Sequence, residues 1–294
     1  PAKWAAKCNM HTPFLPNPFI VTSKDDVLPL YEQLVNRNIH SAEDFQQLLQ
    51  DVSDLESALS EDMAWRYIRM TCDTQNQEHE AAYLNFVQEI QPHLSPLEDQ
   101  LNRKIVDSQF SGQWRNQSNA NEIYLRGIQG AVEIFREANI PLHSELSTLA
   151  QEYSSIQGSM SIQWEDQTIT LQQGSNILMQ TDRNNREKVW HLMQSRRSQD
   201  TDKLNKLFNK MVALRHQLAI NAGFNNFRDY MFKAMGRYDY NADACKDFHN
   251  SVETSVVPML KDLMKHRKSL MGLEVLKPWD TQVDPLGRSP LKPF

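Results

Sequence analysis

The stretch SMSIQWEDQTITLQ, residues 159–172, decides the fold class, because its apolar side chains alternate with polar ones. No other stretch of the chain shows that period convincingly. Alternation on both sides of a short polar turn predicts one β-hairpin, from about Ser159 to Gln172. The alternating apolar residues are Met160, Ile162, Trp164, Ile169 and Leu171, on either side of the turn Glu165-Asp166-Gln167.

Upstream of the hairpin the apolar residues recur every three or four positions, which is the helical period. Ser41 and Asp44 form a capping-box pattern at the start of one long helix. A later helix is expected to stop near Pro92, and the run Ser95-Pro96-Leu97-Glu98 then predicts a new helix start. Helices continue from there to about Gln157.

Downstream of the hairpin the helical period returns at Thr181-Asp182. One helix ends at Gly223, which we expect in the left-handed conformation, so that Phe224 turns back onto the neighbouring helices. The last long helix begins at Asn241, and Pro258 is expected to kink it because proline lacks the backbone N–H of a regular helix.

These patterns predict an all-α protein with one small β-hairpin. The change of period divides the chain into an N-terminal helical region, residues 1–157, and a hairpin-plus-helical region, residues 158–294. Hydrophobic residues make up 40% and charged residues 23% of the chain, a balance typical of a folded globular protein rather than a disordered one.

Charge and cysteine content limit the partners and the compartment. The net charge of −6 argues against a nucleic-acid partner, which would select a basic face. No apolar run approaches the roughly 18 residues of a membrane span, so no membrane partner is expected. Cys8, Cys72 and Cys245 are far apart and odd in number, which favours reduced cysteines in a cytoplasmic protein.

Local motifs provide no candidate for a catalytic or metal site. His79-Glu80 begins a near match to the zinc motif HExxH, but Tyr83 stands where the second histidine would be. None of the nine histidines lies three or four positions from another, the spacing that places two rings on one helix face. Nucleophile motifs and glycine-rich phosphate loops are also missing. We therefore interpret His79 as part of an ordinary helix surface.

Three short patterns occur in a fixed order between residues 158 and 285. The first is D-R-x-x-R-E-x-x-W over residues 182–190, directly after the hairpin, and the second is RHQLAINAGFNNFRDYMF, residues 215–232. The third, residues 256–285, contains the run Pro278-Trp279-Asp280. In this order and spacing they resemble the middle of oligoendopeptidase F and its thimet-oligopeptidase relatives. The part before Gly158 agrees with that family only in its helical character.

The resemblance implies the N-terminal helical lobe of a two-lobed, channel-forming zinc metallopeptidase. In such enzymes the HExxH helix, the third zinc ligand and the transition-state-stabilising tyrosine and histidine follow the region of Pro278-Trp279-Asp280. We therefore expect no catalytic, cofactor-binding or metal-binding residue in this chain, and no zinc bound to it. The matched residues are expected to have structural roles, with Trp279 and Asp280 anchoring the chain where it leaves the long helix.

The resemblance also implies a function for the complete protein. It would be a zinc-dependent metalloendopeptidase that hydrolyses internal bonds of short unstructured peptides, while this chain alone would be inactive. Its partners would be oligopeptide substrates and the missing C-terminal catalytic half. The alternative that the residues leave open is a non-catalytic helical scaffold or interaction protein.

Overall fold

A computed structural model describes residues 14–290, and 73% of these described residues are helical. The described part contains one two-stranded sheet. The predicted class, all-α with one small hairpin, is therefore confirmed. The helices are α1 Leu28–Asn36, α2 Ala42–Cys72, α3 Gln77–Asn85, α4 Gln91–Asp107, α5 Ser111–Arg115, α6 Asn119–Ile134, α7 Ile140–Gly158, α8 Leu171–Ile177, α9 Arg183–Gln199, α10 Thr201–Asn221, α11 Phe227–Ala234, α12 Ala242–Ser251 and α13 Val257–Leu270.

The hairpin consists of strands β1 Ser161–Trp164 and β2 Gln167–Thr170, paired antiparallel. Ile162 lies opposite Ile169, as alternation on both strands requires. The turn is one residue shorter than predicted: Trp164 pairs with Gln167, which leaves a two-residue turn in which Glu165 has φ +53°. The chain then enters α8 at once through a capping box at Thr170, a helix that the sequence patterns did not predict.

The described chain divides into two compact units, of which the first comprises residues 14–148 and 215–236. Its main core lies among α1, α2, α4 and α6, whose apolar faces are buried against one another. The predicted capping box of Ser41 and Asp44 is present at the start of α2, with the Ser41 hydroxyl accepting from the Asp44 N–H at 3.0 Å. Lys104 of α4 donates to three carbonyls at the end of α1, those of Leu34, Val35 and Arg37. A lysine thus donates to carbonyls at the end of a helix, where backbone partners run out.

The predicted helix stop near Pro92 and the predicted start at Ser95 are both wrong. A π-turn, Phe86–Ile90, joins α3 directly to α4, and Pro92 stands in the first turn of α4. The first turn of a helix has N–H groups without intrahelical partners, so proline is tolerated there. The Ser95 hydroxyl donates to the Gln91 carbonyl at 3.0 Å instead of capping a new helix, and Pro96 lies inside α4.

The second unit comprises residues 149–214 and 237–290. Its core forms where the hairpin and α8 pack against α9. Asp182 caps α9 by accepting from the Asn185 N–H at 3.1 Å, which confirms the predicted start of that helix. Val189 and Met193 of α9 are buried, and Trp279 joins them from a short 3₁₀ turn, Pro278–Asp280.

The end of α10 has the predicted left-handed glycine. Gly223 has φ +87°, and its N–H donates to the Ile220 carbonyl at 3.0 Å. The Phe224 N–H donates to the Ala219 carbonyl at 2.9 Å, which completes a Schellman cap. Phe224 and Phe227 then pack into the small cluster around α10 and α11, as the sequence predicted.

Helices α12 and α13 form one continuous helix from Ala242 to Leu270, joined by the π-turn Val252–Val256. Asn241 caps its start, as predicted, and Pro258 follows the π-turn by two residues. No residue of this 29-residue helix is buried. A helix obtains most of its stability in a protein from the packing of its apolar face, so a helix of this length without a buried residue is unusual.

None of the helices within residues 14–290 combines the length and the apolar character that crossing a membrane would require. The predicted boundary between residues 157 and 158 stays a prediction, since the two compact units follow a different division of the chain.

Candidate functional site

A buried aspartate, Asp280, is held by two arginines in the second unit. It ends the 3₁₀ turn Pro278–Asp280, and its side chain is 0% exposed. Arg183 donates from Nε to Oδ1 and from Nη2 to Oδ2, each at 3.0 Å. Arg186 Nη2 donates to Oδ1 at 3.1 Å, and the Lys277 N–H donates to Oδ2 at 3.0 Å. The carboxylate therefore accepts hydrogen bonds on both oxygens, two of them from the fork of one guanidinium.

Arg186 uses its remaining donors on the backbone. Its side chain is only 2% exposed. Nε donates to the Trp279 carbonyl at 2.9 Å, while Nη1 donates to the carbonyls of Gln180 at 3.0 Å and Thr181 at 2.8 Å. Since every nitrogen of the guanidinium already donates to protein oxygen, Arg186 is committed to the structure and not to a ligand.

The charge of Asp280 is maintained by these contacts. Burial alone would raise the pKa of its carboxyl, but the hydrogen bonds from Arg183, the Lys277 N–H and Arg186 outweigh burial and hold that pKa below the usual range. Arg267, near the end of α13, donates from Nε to the Asp280 carbonyl at 2.8 Å. The predicted anchoring role of Asp280 after the long helix is thereby confirmed.

Aromatic rings cover one side of this cluster. The Trp279 ring centroid lies 5.3 Å from that of Trp190 and 5.3 Å from that of His191, and the Arg183 guanidinium lies 6.0 Å from the Trp279 centroid. The structure thus brings together five residues of the sequence patterns, from segments about 90 positions apart. These residues are Arg183, Arg186, Trp190, Trp279 and Asp280.

A cleft of about 410 Å³ lies within the first unit, along α4, α6, α7 and α11. Asp99 of α4 lines it, with Oδ2 accepting from Arg103 Nε at 2.7 Å. Asp99 Oδ1 is buried and has no hydrogen-bond partner among the described residues. Such an oxygen is available to accept a hydrogen bond from a bound group.

His143 of α7 and Tyr230 of α11 line the same cleft. Nε2 of His143 lies 3.5 Å from the Tyr230 hydroxyl, and burial lowers the pKa of this histidine. A histidine with a lowered pKa is neutral at pH 7. The cleft therefore combines a carboxylate oxygen that can accept a hydrogen bond with a neutral imidazole. The sequence patterns include some of its residues, such as Tyr230, but did not predict that they line a common cleft.

A second carboxyl group, Glu98, lines the same cleft and also contacts α1. The Tyr31 hydroxyl donates to Glu98 Oε1 at 3.4 Å. Burial, and next the charge of Glu56, raise the pKa of Glu98 to about 7, although the Tyr31 hydrogen bond opposes this. Burial also raises the pKa of Tyr31, followed by the effect of Glu98. Glu98 is therefore close to half protonated at neutral pH.

The HEAAY segment belongs to α3 and has a structural explanation. Asn76 caps α3 by accepting from the N–H groups of Glu78 and His79. Tyr83, at the position of the missing second histidine, is buried with Met70 and Val87. This agrees with the interpretation of the segment as an ordinary helix.

The described residues do not supply a zinc-binding set. Nowhere in residues 14–290 do three histidine, cysteine, aspartate or glutamate side chains converge as metal ligands would. The prediction that this chain binds no zinc remains a prediction. Cys72 and Cys245 are free thiols, whereas the prediction for Cys8 lies outside the described residues.

Two family models match the chain. The peptidase M3 N-terminal domain matches residues 18–135, and the model of peptidase family M3 matches residues 177–288, so together they span most of the sequence. The chain belongs to peptidase family M3. The second match includes every residue of the Arg183–Asp280 cluster, so the cluster lies in a part of the chain that matches the family. No curated protein matches the chain.

Solved structures share the fold of this M3 chain. A 3.1 Å structure assigned as an oligoendopeptidase F is 21% identical, with a TM-score of 0.85 over 90% of this chain and 47% of its own. PZ peptidase A with an inhibitor is 23% identical, with a TM-score of 0.81 over 87% and 46%. Oligoendopeptidase F from Enterococcus faecium is 16% identical, with a TM-score of 0.66 over 90% and 53%. The chain has the fold of the N-terminal part of these structures and spans about half of their length.

Proposed function

We propose that this chain is the N-terminal helical lobe of a zinc-dependent oligoendopeptidase that hydrolyses internal bonds of short unstructured peptides. The observation that carries the proposal is the M3 match at both ends of the chain, joined to a fold shared with about half of an oligoendopeptidase F structure. Membership of the family supports a metallopeptidase-like hydrolase. The proposal goes beyond this class of enzyme in three respects, which are the zinc ion, the peptide substrates and cleavage at internal bonds.

In this proposal the present chain shapes and supports the enzyme, and the zinc ligands belong to the catalytic half that the longer relatives contain. Zinc would supply an activated water and polarise the peptide carbonyl. The described residues of this chain do not provide a ligand set for zinc, so none is assigned a role toward the metal. Helices of the lobe would form part of a channel wall that admits flexible oligopeptides and excludes folded proteins.

The remaining partners follow from the same proposal. The chain would act together with the C-terminal catalytic half, in the cytoplasm, with no nucleic-acid or membrane partner. The net charge of −6 supports the first of these exclusions, since nucleic-acid binding relies on clustered basic residues. The absence of a disulfide framework in the sequence supports a reducing compartment.

A peptide-cleavage assay tests the proposal. The complete gene product and the 294-residue chain are each incubated with a quenched-fluorescent peptide of about eight residues and with a folded protein. We expect the complete product to cleave only the peptide, at internal bonds, to lose activity with a chelator and to regain it with zinc. The 294-residue chain should be inactive and should retain well under one zinc per chain after dialysis.

Two results would contradict the proposal. Chelator-insensitive cleavage by the complete product would exclude a metallopeptidase. A reading frame that ends at Phe294, or a longer product without any hydrolysis, would leave the non-catalytic scaffold as the better interpretation.

A further inference from the structure

The helix from Ala242 to Leu270 carries an exposed row of large apolar side chains, which we call the apolar stripe. Each member is between 45% and 66% exposed. Soluble proteins rarely expose contiguous apolar patches above a few hundred Å², and larger ones mark interfaces. The stripe consists of Phe248, Val256, Met259, Leu260, Leu263 and Leu270.

The polar residues of the same helix are nearly balanced in charge over its whole length, with five lysines and arginines against four acids. Three of the four acids precede α13, and four of the five basic residues lie within it. Lys265 and Asp262 pair with each other at 2.9 Å. Helices that lie on anionic membranes usually present a polar face rich in lysine and arginine. A mixed polar face beside an apolar stripe fits a protein partner better than a lipid surface.

The width of the stripe indicates what kind of protein surface covers it. At 3.6 residues per turn, the α13 members Met259, Leu260, Leu263 and Leu270 span roughly 100° of the helix circumference. That is the width of a helix face packed into a globular core, whereas the seam of a coiled coil is narrower. Because no residue of the helix is buried, its partner must also supply most of the close packing. Both features favour a large folded partner over a second copy of the same helix.

The solved relatives indicate where such a partner comes from. The part shared with this chain covers only 47% of the oligoendopeptidase F structure and 46% of PZ peptidase A. Each of these two proteins therefore contains about as much polypeptide again outside the shared part. We propose that the apolar stripe is the docking surface for that other half of the peptidase. This inference rests on the proposed function, since it requires this chain to be one part of a longer M3 enzyme.

The first test measures hydrogen–deuterium exchange in the complete gene product and in the 294-residue chain. Amides of residues 259–270 should exchange on the order of a hundredfold more slowly in the complete product, because a covered helix opens less often. Equal exchange rates in the two proteins would overturn the proposal. A concentration-dependent dimer of the 294-residue chain, with the stripe protected in that dimer, would also overturn it by identifying a second copy as the occupant.

A matched pair of variants makes the test specific to the stripe. Met259→Gln with Leu263→Gln removes two stripe side chains, and Lys261→Gln with Lys265→Gln changes the polar face of the same helix. Glutamine, methionine, leucine and lysine have similar helix propensities, so both variants should fold. The stripe variant should raise the unfolding equilibrium constant of the complete product on the order of a hundredfold, and that of the 294-residue chain less than about threefold. The polar-face variant should change neither by more than about threefold, and equal effects of the two variants would refute the assignment.

Peptide hydrolysis by the same complete product separates this inference from the proposed function. A protected stripe without chelator-sensitive hydrolysis would support the docking surface and contradict the peptidase. Hydrolysis with an unprotected stripe would support the peptidase and contradict the docking surface.

Discussion

Replacing Asp280 with asparagine tests whether the buried arginine cluster holds the second unit together. The amide side chain has nearly the same shape as the carboxylate, but the change removes the negative charge that faces Arg183 and Arg186. Arg186 is 2% exposed and would remain charged without a buried counter-charge. Breaking a buried ion pair by removing one partner costs about 3–5 kcal/mol. Because Arg186 keeps its backbone acceptors, we expect a loss near the lower end of that range, about 3 kcal/mol.

Urea unfolding monitored by tryptophan fluorescence measures this loss, since Trp190 and Trp279 both lie beside the cluster. The matched control is Asp262→Asn, which removes an equally short contact to Lys265 on the exposed face of α13. An exposed pair contributes little, so the control should change the free energy of unfolding by less than about 1 kcal/mol. If Asp280→Asn cost no more than this control, the cluster would not stabilise the fold in the way its geometry indicates.

The same cluster predicts a pH dependence. The folded-state pKa of Asp280 is lowered from 3.8, so the unfolded chain binds the proton more readily. Its contribution to stability is therefore fully present above about pH 4 and is lost as pH falls through the folded-state pKa. Asp280→Asn should lack this component of the acid loss. Parallel stability profiles of the wild type and the variant between about pH 5 and the acid unfolding midpoint would contradict the assignment.

Three further predictions concern the first unit. Glu98 keeps its proton up to about pH 7 when folded but only to about 4.5 when unfolded, so stability should fall as pH rises between those values. Glu98→Gln should abolish that fall and stabilise the protein by about 2–3 kcal/mol at about pH 8, and an unchanged pH profile would refute the assignment. Gly223→Val should cost about 1–3 kcal/mol, because a β-branched residue is strained at φ +87°. The control is Gly127→Ala, which adds a Cβ in open space inside α6 and should be neutral or stabilising by up to about 1 kcal/mol. If both glycine variants shifted the thermal melting temperature equally, Gly223 would not require a left-handed conformation.

Local features of the fold were predictable from sequence, because each depends on neighbouring residues. The hairpin follows from alternation over residues 159–172, and the start of α2 follows from Ser41 and Asp44. The Gly223 cap follows from a glycine at the end of an apolar helical pattern. The predicted helix break near Pro92 was wrong because the sequence there is compatible with two structures. One is a new helix that begins at Ser95, and the other is a π-turn that joins two helices directly. The backbone hydrogen bonds decide between them, and they form the π-turn.

The candidate sites depend on distant residues, and here the sequence was less informative. The family patterns identified Arg186 and Asp280 individually, but their contact joins positions 94 residues apart. No local signal shows that one guanidinium would be buried with that carboxylate. The cleft was not predicted at all, because Asp99, His143 and Tyr230 belong to three helices, and the family pattern that contains Tyr230 does not indicate its neighbours in space.

The two π-turns have a consequence for how this sequence can change by insertion and deletion. Each π-turn ends two residues before a proline, Ile90 before Pro92 and Val256 before Pro258. A π-turn contains one residue more than the α-helical turn it replaces. Deleting one residue from Phe86–Ile90 could therefore leave a regular helix in which the following side chains keep their directions, because four α-helical residues turn the chain by about 400°, nearly as much as the five residues of the π-turn. Leu94, Leu101 and Ile105 would then still face the core that they fill with α1 and α2. A one-residue deletion should thus be tolerated in these turns better than elsewhere in the same helices, where it would rotate every following side chain by about 100°.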